Sequence, residues 1–169
     1  MTLEQSIFHY AQTAPDRVAA VCGSDSISYS ELRDAIARRA EELHASGLQP
    51  HRPYTFRATQ DIDFLITYCA IHYAKAIAVP LEHKATEESF QSIKSQVEGC
   101  SFAEDIVDVL YTTGTTGKSK GVMLSERALV ACTDNFIADL HFSEELLFII
   151  SGPLNHIASL FKIHPTLSA

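Results

Sequence analysis

A chain of 169 residues, 46% hydrophobic and 20% charged, has the composition of an ordinary globular domain and can bury a core without disulfide staples. That excludes whole-chain disorder, a collagen-like repeat and a disulfide miniprotein. The net charge of −8 argues against nucleic acid as a partner, because sequence-independent binding relies on surplus Lys and Arg.

Leu3, Ile7, Tyr10 and Ala11 recur at helical spacing, which predicts an amphipathic helix over Leu3–Thr13, ended by Ala14-Pro15-Asp16. Val18–Cys22, the turn Gly23-Ser24-Asp25 and Ser26–Tyr29 read as a hairpin. Ser30 is the expected cap of a helix that places Leu32, Ile36, Ala37, Ala40 and Leu43 on one face and ends at Gly47. Tyr54–Arg57 reads as a strand. Asp61 caps an apolar helix from Ile62 to Ala76, and Ile77–Pro80 is a short buried strand. Thr86 caps a polar helix, Glu87–Val97, with Phe90, Ile93 and Val97 inward. Ile106–Tyr111 is a strand, a loop rich in Thr, Gly and Lys follows, and Val122–Leu124 is a brief strand. Ser125 caps a helix whose buried side is expected to carry Leu129, Val130, Thr133, Phe136, Ile137 and Leu140. Leu146–Ser151 is an apolar run of strand type, broken by Gly152-Pro153, and a last helix starts near Asn155-His156.

Strands alternate with helices from Tyr54 onward. That pattern predicts an α/β fold with a mainly parallel sheet, helices on both faces, and a small N-terminal hairpin. The hairpin and its helix occupy 18–46, an αβ segment 53–104, and the Thr-rich loop with its following αβ unit 105–169.

The start, Met1-Thr2-Leu3-Glu4-Gln5-Ser6, has neither a basic n-region nor an apolar h-region, so no secretory signal is expected. Phe64–Leu81 contains His72 and Lys75 and is too polar for a membrane span. Cys22, Cys69, Cys100 and Cys132 form no C-x-x-C pair, so neither a zinc nor a redox motif is supported. Cys69 and Cys132 sit among apolar neighbours and read as small buried hydrophobes. A cytoplasmic location is expected. The histidines show no metal-ligand spacing; His72 and His83 read as solvated or hydrogen-bonded. Asp105 and Asp108 are expected at the mouth of their strand, without a catalytic role.

The strongest chemical signal is Leu110-Tyr111-Thr112-Thr113-Gly114-Thr115-Thr116-Gly117-Lys118-Ser119-Lys120-Gly121-Val122. An apolar strand runs into residues that are almost all Thr, Gly, Ser or Lys. Gly114, Gly117 and Gly121 let the backbone approach a ligand closely. The hydroxyls, backbone N–H groups and lysines are what a polyphosphate needs around it. Gly117-Lys118-Ser119 fits the end of a P-loop, G-x-x-x-x-G-K-S/T, but the first glycine of that pattern falls on Thr112, and the loop leads to a strand, not a helix. A Walker-type NTPase is disfavoured. The density of the run also disfavours an ordinary polar surface loop.

Tyr111–Gly121 resembles the phosphate-binding signature of the adenylate-forming (AMP-binding) enzymes: acyl- and aryl-CoA synthetases, peptide-synthetase adenylation domains and luciferases. It departs only where Ser119 stands in place of a proline. Three further stretches resemble family motifs and occur in family order: Ile27-Ser28-Tyr29-Ser30-Glu31-Leu32, Tyr73–Leu81, and Gly152-Pro153-Leu154-Asn155-His156-Ile157-Ala158-Ser159. The second lacks the family's glycine, having Ala74 to Ala76 there; in the last, Ala158 and Ser159 stand where a glycine is frequent. The stretch Leu81–Glu104 holds only one polar helix, which suits a compact ligase.

The resemblance implies an enzyme that joins a small-molecule carboxylic acid to the α-phosphate of Mg2+·ATP, then transfers the acyl group to a thiol such as that of coenzyme A. It implies that Lys120 is the signature lysine. Thr112, Thr113, Gly114, Thr115, Thr116, Gly117, Lys118 and Gly121 would complete the phosphate grip. Asn155 and His156 would stand at the acyl pocket, with His156 joining Lys120 as a catalytic candidate; a helix-start histidine is the alternative reading. No residue is assigned to bind a metal directly. The family's adenine contacts, its Mg2+-holding acid and its mobile C-terminal domain follow motifs beyond this stretch. The chain therefore reads as the N-terminal portion of a ligase, inactive by itself. A stand-alone phosphate-binding module and a peptide-synthetase adenylation domain are the alternatives. The apolar end, Pro165–Ala169, is expected to leave an edge that favours self-association.

Overall fold

In the computed structural model, residues 1–112 and 119–169 are described. Helix α1 (Leu3–Thr13) starts with a capping box: Thr2 accepts from the Gln5 N–H, and Gln5 accepts from the Thr2 N–H. Strands β1 (Val18–Cys22) and β2 (Asp25–Ser28) pair antiparallel as the expected hairpin, with Gly23 at φ 61° in the turn. Helix α2 (Tyr29–Ala45) is capped by Ser28, not Ser30. The reason is reciprocal bonding: Glu31 stands three residues after Ser28 and accepts from its backbone N–H at 2.8 Å.

The main sheet is built from β3 (Pro53–Ala58), β4 (Ile77–Glu82), β5 (Ile106–Thr112) and β6 (Lys120–Ser125), in that order. β3–β4 and β4–β5 are parallel; β5–β6 is antiparallel. The mainly parallel α/β sheet is thus present, and β6 adds a second antiparallel pair besides the hairpin. Helix α3 (Ile62–Tyr73), capped by Asp61, connects β3 to β4. Helix α4 (Glu87–Glu98), capped by Thr86, connects β4 to β5.

Alternation along the strands divides the core into two layers. Ile77, Val79 and Leu81 of β4 pack with Val97 of α4 and Val109 of β5 on one face. Ala78 and Leu110 point the other way, into the larger core formed with α1, α2 and α3. α5 (Glu126–Leu140) follows β6 from its Ser125 cap, and two short helices, α6 (Ile157–Leu160) and α7 (Ile163–Ser168), close the chain. Leu160, Ile163 and Leu167 anchor them in the larger core. No helix among the described residues is long and apolar enough to cross a membrane.

Four expectations are corrected. α3 ends at Tyr73, because Lys75 turns left-handed at φ 56° and closes the helix there. The run Leu146–Ser151 joins neither sheet among the described residues; Leu147 is 83% and Ile149 80% exposed, and only Ile150 packs on the core. The inward stripe of α5 is narrower than expected. Leu129 and Thr133 are buried, but Leu140 and Cys132 face outward, so only Cys69 is a buried thiol. Asp108 is not at the mouth of its strand: it is buried in the larger core, where Tyr68 and His72 satisfy its carboxylate, and His72 takes the hydrogen-bonded of its two expected settings.

Candidate functional site

The β5–β6 hairpin determines where the Thr-rich loop leaves and rejoins the sheet. Tyr111 pairs with Gly121, and Thr112 with Lys120. A side chain at Gly121 would meet Val109 Cγ1 at 3.0 Å and the Tyr111 ring at 3.3 Å, so glycine is what lets the Tyr111 ring lie across β6. Thr113, Gly114, Thr115, Thr116, Gly117 and Lys118 lie outside the described residues.

Beside this hairpin is a cleft of about 480 Å³. It lies beyond the carboxyl ends of the parallel strands β4 and β5, where open α/β sheets receive ligands. Leu81 and Glu82 form its β4 side, Tyr111 and Thr112 its β5 side, and Ser119 the return of the loop. Asn155 and His156 reach it from the start of α6. The structure therefore brings Thr112, Asn155 and His156, widely separated in sequence, to one cleft. Lys120 and Gly121 stand on the hairpin opposite Thr112 and Tyr111, and Lys120 is exposed.

His156 itself occupies the cap position of α6, in place of Asn155. Among the described residues its imidazole makes no cap hydrogen bond. The ring is exposed, so its nitrogens can meet a ligand. Burial, with a lesser effect of Cys100, raises the Tyr111 phenol above its ordinary value, so this residue faces the cleft as a neutral hydroxyl. Among the described residues no group of three or more His, Cys, Asp or Glu is placed to hold a metal ion. Hydroxyls and a lysine at the hairpin suit phosphate oxygens, and a divalent cation there would be carried by those phosphates.

Behind the cleft is a polar cluster that sequence reasoning missed. Asp108 of β5 lies four residues before Thr112 on the same strand. It accepts from Tyr68 Oη at 2.9 Å and contacts His72 Nε2 at 2.9 Å, and Tyr68 Oη also meets His164 Nε2 at 2.9 Å. All four side chains are buried. Burial, and then the Asp108 charge, push the Tyr68 phenol far above its ordinary range. Burial alone would lower His72, but the charge and hydrogen bond of Asp108 more than offset it and leave the imidazole raised. His164 is pulled down to about 4 by burial and then by His72. One signal was available: Tyr68 and His72 lie one turn apart on α3, on the same face.

The family model described as "AMP-binding enzyme" matches residues 7–102 and 94–169. Tyrocidine synthase 2 of Brevibacillus parabrevis is 26% identical over 165 residues, covering 76% of this chain and 5% of that protein. A feruloyl-CoA synthase of Amycolatopsis is 22% identical over 189 residues, covering 89% of this chain and 38% of that protein. The crystal structure of ATP-bound MatB from Rhodopseudomonas palustris superposes with a TM-score of 0.83 at 25% identity, over 100% of this chain and 44% of that one. The chain thus spans less than half the length of each of these relatives.

Proposed function

The chain belongs to the AMP-binding, adenylate-forming enzyme family, and we propose that it is the phosphate-gripping front of an ATP-dependent acid–thiol ligase of the acyl-CoA synthetase type. The observation that carries this reading is the convergence of Thr112, Ser119 and His156 on one cleft, with Lys120 opposite Thr112 on the adjoining hairpin. A carboxylate attacking the α-phosphate of ATP expels pyrophosphate, whose charge grows as the bond breaks. Hydroxyl and N–H donors and a lysine fixed in advance around that charge lower the barrier. Thr112, Lys120 and the loop between them, Thr113 to Lys118, are assigned that role. Mg2+ bound to the phosphates would supply further neutralisation there. Asn155 and His156 are assigned to the acid's carboxylate end, and coenzyme A to the acceptor role.

The match to tyrocidine synthase 2 favours a second reading, an adenylation domain of a peptide synthetase, with an amino acid as the carboxylic acid and a carrier-protein thiol as acceptor. Both readings require the same phosphate grip. A nitrogen-15 labelled chain titrated with Mg2+·ATP tests it. Resonances of Thr112, Ser119, Lys120, Gly121 and His156 are expected to move, and adenosine alone is expected to leave them in place. Shifts confined to other surfaces would contradict the assignment.

A further inference from the structure

We propose that Tyr68, Asp108 and His164 are positioning residues: a directional hydrogen-bond chain that fixes α6–α7, and with them His156, to the strand that ends at Thr112. The functional part of this statement rests on the role assigned above to His156. The geometry does not.

The proton count decides the direction of the chain. Tyr68 has one hydroxyl proton and two partners, Asp108 Oδ2 and His164 Nε2, each at 2.9 Å. The carboxylate can only accept, so the phenol donates to Asp108. The phenol oxygen then accepts from His164 Nε2–H. Burial, which pulls this imidazole down to about 4, keeps it the neutral tautomer with that one proton. Asp108 Oδ1 takes its second bond from His72 Nε2–H at 2.9 Å. Every polar atom named has a partner in this arrangement, whereas turning the Tyr68 hydroxyl toward His164 would leave the Asp108 carboxylate oxygen Oδ2 without a donor.

The chain ties together elements that are far apart in sequence: α3, β5 and α7. Asp108, Leu110 and Thr112 share one face of β5, so the bond to Asp108 fixes the same strand face that ends at the cleft. On the other side, the Phe161 ring stacks on His164 at 6.1 Å and meets Phe136 of α5 edge-on at 5.1 Å. Upstream, Gln60 donates to the Gly152 carbonyl at 2.8 Å, and Ser159 is buried directly beneath Gly152. His156 lies between these two anchors.

Apolar side chains of similar volume would fill this space at least as stably, because buried charges cost desolvation. What they would lack is direction: an apolar contact allows α7 to slide, whereas the His164–Tyr68 bond, with Tyr68 held in turn by Asp108, defines one setting.

The test needs no nucleotide, so its failure is separable from failure of the phosphate-grip reading. Tyr68→Phe removes only the hydroxyl. Amide exchange across Ile157–Ser168 is expected to accelerate about tenfold while α1 and α2 hold their protection. The His156 imidazole nitrogen-15 resonances are expected to shift. A second pair of variants guards against general loosening. His164→Gln retains an N–H donor for Tyr68 and is expected to restore protection and the His156 signal, while His164→Leu is not. Unchanged exchange over 157–168 in Tyr68→Phe, or equal behaviour of His164→Gln and His164→Leu, would overturn the proposal.

Discussion

Lys75 holds a left-handed backbone at φ 56°, and its Nζ lies 3.0 Å from Glu4 Oε1 on α1. A second carboxylate, Glu126 of α5, stands 3.6 Å away. A position that glycine would take without strain is thus occupied by a cation that joins the ends of three helices. Burial pushes the Glu4 carboxyl up, but its own backbone N–H and the charges of His72 and Lys75 more than offset this and hold it below its ordinary value.

Lys75→Ala keeps the strain and removes a cation that is itself more than half exposed, and is expected to destabilise the fold by about 1 kcal/mol in urea unfolding at neutral pH. Lys75→Gly relieves the strain and is expected to recover about 0.5 kcal/mol of that. Glu4 has a depressed folded value, so its contribution is present above the unfolded value and lost as pH falls through the folded one. The cost of Lys75→Ala should therefore vanish on acidification. Equal stability of the Ala and Gly variants would remove backbone strain from this account.

His164 gives a second pH dependence. The unfolded imidazole binds its proton near pH 6.5, whereas the folded one does so only at about 4. Its contribution to stability is present above the unfolded value and falls away as pH drops toward the folded one. His72 runs oppositely: its raised folded value gives a contribution that is complete below the unfolded value and lost as pH rises through the folded one. Glu4 and Glu126 add to that rise. Replacing His164 by Gln removes the first effect only. Urea midpoints between pH 7 and 4 should fall less steeply in the variant than in the wild type, and parallel slopes would contradict the neutral His164.

Much of this was legible in the chain. The caps Asp61, Thr86 and Ser125 stand where their helices begin, because each short polar side chain has a free N–H three residues on. Motif order singled out Thr112 and His156 one by one; that both line one cleft depends on how β5 and α6 pack and was not readable from the chain. Asp108 was not legible. A single acid between Val107 and Val109 reads as a strand end, and its burial depends on Tyr68 and His72, which lie 40 and 36 residues away. Leu146–Ser151 misled for the reverse reason. Apolar content is local, but a strand needs a partner edge, and the sequence does not display one.

Gly121→Ala is a packing test of the hairpin. Its new methyl would sit 3.0 Å from Val109 Cγ1 and force the Tyr111 ring to move. A loss of about 1–2 kcal/mol is expected in urea unfolding, with a changed Tyr111 environment by NMR. Lys120→Ala, at an exposed position, should leave stability within about 0.5 kcal/mol. If Gly121→Ala is equally neutral, the close approach of β6 to Tyr111 is not as described.

The 169-residue chain by itself is expected to give no ATP–pyrophosphate exchange with fatty, aryl or amino acids, because it spans less than half of the ligases it resembles. Clear turnover would show that the phosphate grip and the cleft suffice for adenylation.

The central claim is that Thr112, Lys120 and the loop between them grip polyphosphate. Calorimetric titration of Mg2+·pyrophosphate into the wild-type chain, Thr112→Val and Lys120→Ala tests it most directly. Binding by the wild type, with about tenfold weakening in Lys120→Ala and a smaller loss in Thr112→Val at unchanged stability, is the predicted result. Equal affinity in all three chains would contradict it.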